Sequence, residues 1–284
     1  MSDDPLMIAG IHFNALASTI SEIDACVDWP SQSNILPHTY HSLRRFLSAR
    51  TIAITVLIAE RLIWDAEIIL RSANECSMKA AFIFLDQDDS EATTSADEFF
   101  GEFGRAHKRR DASRAAAAAK AISKSNSAYH NSSNFLLQAS NELSEDALDI
   151  TKVQRRAIEE RWNYTAIVHQ VLARGPNANS KENIGSMLHS FAYQSHLTHC
   201  NPAALGLEMD AQSRAVDERN LKDRGHAARI YHDLASAWLI FFLIAEQHFQ
   251  VSSDLKKEVS SHLTKLLPIL GGIEAGFVDF VNDQ

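Results

Sequence analysis

Glycine and proline are both absent from His38 to Phe100, from Arg105 to Arg174 and from His226 to Leu267. A strand-rich chain needs turn residues roughly every 8–12 positions, whereas a helix runs on without them. The six prolines, at positions 5, 30, 37, 176, 202 and 268, fall where helices should stop. The pattern predicts an all-α protein, a single multi-helix bundle of eight or nine helices. No linker is long enough to separate two cores, so residues 1–284 read as one domain.

Apolar spacing agrees with this reading. Ile54, Leu57, Ile58, Ile68, Leu70 and Phe82 recur around a helical wheel. An unbroken helix from Pro37 to Leu85 would be about 70 Å long, so a turn is expected near Trp64–Asp65, with Asp65 as cap. Ser95 and Glu98 fit a capping box. The stretch 105–124 carries seven Lys or Arg around the alanine run 115–119 and reads as a solvated helix. Polar residues 126–134 read as a connection. Further helices are expected at 135–143, 145–173, 181–200, 208–222, 226–250 and 254–280, the last bent by Pro268.

Composition narrows function only by exclusion. The net charge of −9 disfavours nucleic acid as the main partner. The apolar run 234–245 is too short to cross a bilayer, and the acidic opening lacks the basic start of a secretory signal. Together these point to a cytoplasmic protein away from membranes. Cys26, Cys76 and Cys200 are scattered and read as buried thiols. No Walker or dinucleotide loop, nucleophile elbow, H-E-x-x-H or E-x-x-H occurs, so no cofactor is expected and enzymatic activity stays open.

Two segments stand out chemically. Arg71 lies four residues from both Glu67 and Glu75 on an apolar helix, forming a charged stripe. Burying such groups costs several kcal/mol unless they find partners. The second segment places His189, His196 and His199 on one helical face, with Tyr193 and Ser195 adjacent. These residues suggest a polar pocket in which Arg71 holds a small anionic ligand, Glu75 orients it and His199 exchanges a proton.

The Arg71-Ser72-x-x-Glu75 helix, Trp162 and the later Tyr193-x-Ser195-x-x-x-His199 helix resemble a widespread bacterial family of helical proteins with no assigned activity. The resemblance spans about residues 40–205. It implies an all-α, family-like core at 38–205, on which helices from 206–284 pack, and convergence of Arg71, Glu75 and His199. His196 and the segment 86–124 depart from the family pattern.

Two other chemistries fit short motifs. His199, His232 and Asp233, with Asp279, follow the layout of metal-dependent HD-type phosphohydrolases. Arg219 and His226 match the Arg/His spacing of HEPN-type ribonucleases, although Gly225 is expected to interrupt their helix. The apolar stripe Trp238–Leu243 suits either the core or a homodimer seam.

Overall fold

The computed structural model describes residues 4–26, 35–123, 134–138, 141, 150–174, 178–199 and 202–282. The chain is all-helical, with no strand among these residues. Besides a short helical stretch at 134–138, the elements are α1 (Pro5–Cys26), α2 (Ile35–Ala59), α3 (Ile63–Phe84) and α4 (Asp89–Glu98). A π-helical turn (Phe99–Phe103) leads into α5 (Gly104–Ser123). Then come α6 (Lys152–Arg161), α7 (Tyr164–Ala173), α8 (Ala178–Thr198), α9 (Pro202–Ser213), α10 (Val216–His248) and α11 (Ser253–Asn282). Residues 126–133 of the polar connection, residues 139, 140, 142 and 143 of the helix expected at 135–143, and Cys200 lie outside the described residues, as does the side chain of Cys26. Cys76 is buried, with its Sγ 3.2 Å from the Leu43 carbonyl, and burial pushes its thiol up to about 12.

The first long apolar stretch breaks three residues before the expected place. Arg61 adopts a left-handed conformation (φ 59°). The Leu62 amide donates to the Leu57 carbonyl at 2.8 Å, and the Arg61 amide to Ile58 at 3.0 Å. This hydrogen-bond pair is the Schellman ending, in which glycine usually takes the left-handed position. Asp65 consequently lies in the first turn of α3, where its charge complements the helix dipole, and not at the cap.

Other boundaries moved for equally local reasons. Asp88 and Glu91 form the capping box of α4, while Ser95 sits inside the helix and donates to Gln87 at 3.2 Å. Over its described residues, 150–173, the expected helix 145–173 is two helices. Asn163 caps α7 by accepting from the Ala166 amide, and Trp162 turns inward against Phe82, Phe99 and Phe103.

The largest revision is α10. It runs unbroken for 33 residues, about 50 Å, straight through Gly225. That glycine is a packing device rather than an interruption: a Cβ built there would lie 2.7 Å from Cγ of Phe277 on α11. The bare backbone lets the two helices close on each other. α11 likewise continues through Pro268.

α3 and α10 form the centre of the bundle. Leu70, Ala73, Met78 and Phe82 of α3 are sealed, as are Ile230, Leu234, Trp238 and Phe241 of α10. Trp238 donates to Thr51 at 3.0 Å and Tyr40 to the Phe241 carbonyl at 3.3 Å, tying α2 to α10. The Trp238–Leu243 stripe therefore completes the core, with Leu243 left exposed. Because α10 is continuous, it reaches the length and apolarity of a bilayer span, as does Pro5–Ile23 of α1; the apolar window of α10 is mostly buried inside the bundle.

Gly225→Ala removes a helix-weakening residue, which in an open helix would stabilise by about 1 kcal/mol. Here the methyl meets Phe277, and the variant is expected to lose about 1–3 kcal/mol through overpacking. Urea denaturation gives the sign.

Candidate functional site

Glu67 is the most constrained charge in the protein. It sits on the buried side of α3 with none of its surface exposed. An isolated carboxylate there would be prohibitively costly, and the fold answers it from two other helices. Arg229 of α10 donates Nη2 to Glu67 Oε1, and Gln194 of α8 donates Nε2 to Oε2 at 3.2 Å. The other Arg229 nitrogen, Nη1, reaches Asp233 at 2.9 Å and Ser190 at 3.2 Å. Three helices are thus joined by one guanidinium shared between two carboxylates.

Two histidines flank this network in opposite states. His226 lies with Nδ1 3.9 Å from Glu67 Oε1, packed against Trp64 and Phe277. Burial, with Lys222 nearby, lowers its pKa to about 4, so it is neutral at pH 7. His232 instead meets Glu274 of α11 at 3.4 Å, and that hydrogen bond raises its pKa. Burial raises Asp233 and lowers Arg229, each partly offset by the other's charge.

His226, Arg229, His232, Asp233, Ser236 and Glu274 line a cleft of about 390 Å³ between α10 and α11, together with the apolar Phe277 and Val278. Pockets of this size take small molecules, and groups with displaced pKa values concentrate at functional sites. The cleft combines a neutral imidazole, an imidazole biased towards protonation, and carboxylates able to accept hydrogen bonds.

The pocket residues read from the sequence are distributed differently. Arg71 is half-buried, its guanidinium 4.3 Å from the centre of the Phe191 ring, which itself stacks on Tyr164 at 3.7 Å. Its Nη1 is buried with no hydrogen-bond partner. Glu75 turns away towards α2, pairs with Lys79 at 2.7 Å and lines a separate groove with Ser42, Ser72 and Phe99. Four residues along a helix advance the direction by about 40°, enough for Glu75 to leave the face of Arg71. Ser195 is half-buried, His196 is exposed, and His199 is exposed in the turn that ends α8. The structure therefore brings Arg71, Glu75 and His199 into no common contact. The side chains of Tyr193, His189 and Asp279 lie outside the described residues.

Residues from the two minor motifs, by contrast, meet in the cleft. His226 belonged to one and His232 with Asp233 to the other. Neither motif is assembled whole: Arg219 donates to the Arg214 carbonyl at 3.3 Å and does not line the cleft. Neighbours on a helix point about 100° apart, so His232 faces Glu274 while Asp233 faces Arg229. Among the described residues no group of three His, Cys, Asp or Glu side chains is placed to hold a metal ion.

Glu67 was visible as part of the charged stripe, and Arg229 with Asp233 could have been found by the same logic, as i,i+4 charges in an apolar helix. Gln194 and Ser190 carry no such signal. Fold and site together define an all-α bundle with a charged cleft between helices. The chain matches no protein-family model, no curated protein and no solved structure.

Two measurements test the network. Arg229→Met leaves Glu67 buried and uncompensated and should cost about 3–5 kcal/mol, most of it recovered in the Glu67→Met/Arg229→Met double variant; denaturant titrations of the four proteins close the cycle. The second concerns pH. The unfolded chain protonates His226 near its ordinary value of 6.5, whereas the native state resists until about 4. This contribution is complete above pH 6.5 and falls away between pH 6.5 and 4, by about 3 kcal/mol in all. A His226→Gln variant should show a correspondingly flatter loss of stability over that range.

Proposed function

We propose that this protein binds a small polar molecule in the α10–α11 cleft. One observation carries the reading: Arg229 and Asp233 in the cleft wall are held from behind by a fully buried carboxylate, and His232 is held by Glu274, so these charged groups are positioned before any ligand arrives. Preorganised polar groups of this kind lower the cost of binding.

The charge balance suggests the ligand. Glu67, Asp233 and Glu274 outnumber Arg229 and His232, and both terminal nitrogens of Arg229 are already engaged. A ligand that donates hydrogen bonds, an amine above all, would be favoured by Glu274 and Asp233, with neutral His226 as a further acceptor. The metal-dependent and ribonuclease readings draw less support, since each has only part of its residues in the cleft.

A second reading, a small anionic ligand at Arg71, is favoured by a specific feature. The Arg71 guanidinium has no ion pair among the described residues and one buried nitrogen without a partner. Asn74, one turn along the same face, is fully buried with both amide atoms unsatisfied. Buried polar atoms rarely stay so, and an anion would accept from both the Arg71 guanidinium and the Asn74 amide nitrogen.

Thermal-shift titration separates the two readings. Small mono- and diamines are expected to raise Tm, with the effect lost in Glu274→Gln. If inorganic phosphate or acetate raises Tm instead, and Arg71→Gln abolishes that shift, the anionic reading replaces the first. No shift with either class rejects both.

A further inference from the structure

The opposite face of α10 borders a second and larger cavity, about 460 Å³ and open on one side, lined also by α1, the end of α2 and the start of α3. Its lining is divided. Leu6, Met7, Ile11, Ile58 and Ile63 give it an apolar side, while Arg61, Asn220, Asp223 and Arg224 give it a charged one.

Those charges are not all internally matched. Arg224 is paired with Asp4 at 2.7 Å. Arg61 is not paired with a carboxylate among the described residues; its Nη1 donates to the neutral Asn220 Oδ1 at 3.3 Å. It holds this place through the left-handed backbone that ends α2, a conformation uncommon for a side-chain-bearing residue and often found where function requires it. Asp223 is half-buried and has neither hydrogen bond nor ion pair among the described residues. Burial raises its pKa, while Arg219, Arg61 and Lys222 hold it down. Arg61 and Asp223 therefore sense each other without pairing.

Tyr231 supplies an independent indication. Its ring is buried, the residue being only 6% exposed, while its hydroxyl opens into the cavity and makes no hydrogen bond among the described residues. Phe13 packs on its ring, and the backbone of Gly10 leaves the hydroxyl room, since a Cβ there would lie 3.0 Å from the oxygen. A hydroxyl opening into the cavity beside an exposed arginine and a half-buried carboxylate that are not paired with each other forms a polar surface suited to a ligand carrying both charges.

We propose that this cavity binds a small zwitterion with an apolar side chain, chemically an apolar α-amino acid. Its carboxylate meets Arg61, its ammonium meets Asp223, Tyr231 bonds to the polar end, and the side chain lies against Leu6, Ile58 and Ile63. The opposed charges select against simple amines and simple acids, each of which would leave one of the two unmatched.

Isothermal titration with L-leucine, L-methionine and L-phenylalanine tests the proposal. At least one should bind saturably. Its affinity should fall at least tenfold for the corresponding amide and N-acetyl derivatives, and by a similar factor in Arg61→Asn and in Asp223→Asn. Asparagine is chosen at position 61 because it tolerates the left-handed backbone, and the derivatives probe the same contacts without altering the protein. Absence of binding at millimolar concentrations, or binding that survives either substitution, overturns the proposal. Arg61 and Asp223 do not line the α10–α11 cleft, so failure here is distinguishable from failure of the amine reading there.

Discussion

A carboxylate with no access to water cannot remain ionised in an apolar core unless a cation is delivered to it, and Glu67 imposes that condition on the bundle. Arg229 arrives from a helix far along the chain, and only when α3 and α10 lie side by side. Because the same guanidinium holds Asp233, and Gln194 and Ser190 approach from α8, the requirement of one buried charge fixes three helices in register. Such a network adds little net stability over a well-packed apolar core, but breaking it from one side is severe. It specifies which helices are neighbours.

α10 is the structural consequence. One continuous helix presents the charge network and cleft on one face and the Tyr231 cavity on the other. Gly225 permits α11 to close over the cleft side, and Gly10 permits α1 to close over the cavity side. Both glycines act by absence of a side chain at a close approach. The two ligand readings differ in character for the same reason: the charges of the cleft wall are engaged with one another, whereas Arg61 and Asp223 in the cavity are not paired with each other.

The helical class of the chain was legible from glycine and proline spacing, and most helices appear near the expected positions. The misplaced boundaries share a cause. Arg61 ends α2 by a backbone conformation usually marked by glycine, and Gly225 passes through a helix because Phe277 needs the space. In both places a local signal was outweighed by packing. The charged stripe on α3 was also legible, as was the need of a buried ion for a distant partner. Its partner was not: Arg229 answers Glu67, while Glu75 turns to Lys79 and His199 ends in solvent.

The sequence by itself determined the periodicity of the helices and the presence of charges in apolar surroundings, since both depend on residues a few positions apart. Tertiary structure decided which charges met, which face of α10 opened as a cleft and which as a cavity, and which polar groups stayed unmatched. Those outcomes depend on contacts between residues more than a hundred positions apart, and on rotations of about 40° per four-residue step along a helix that composition does not encode.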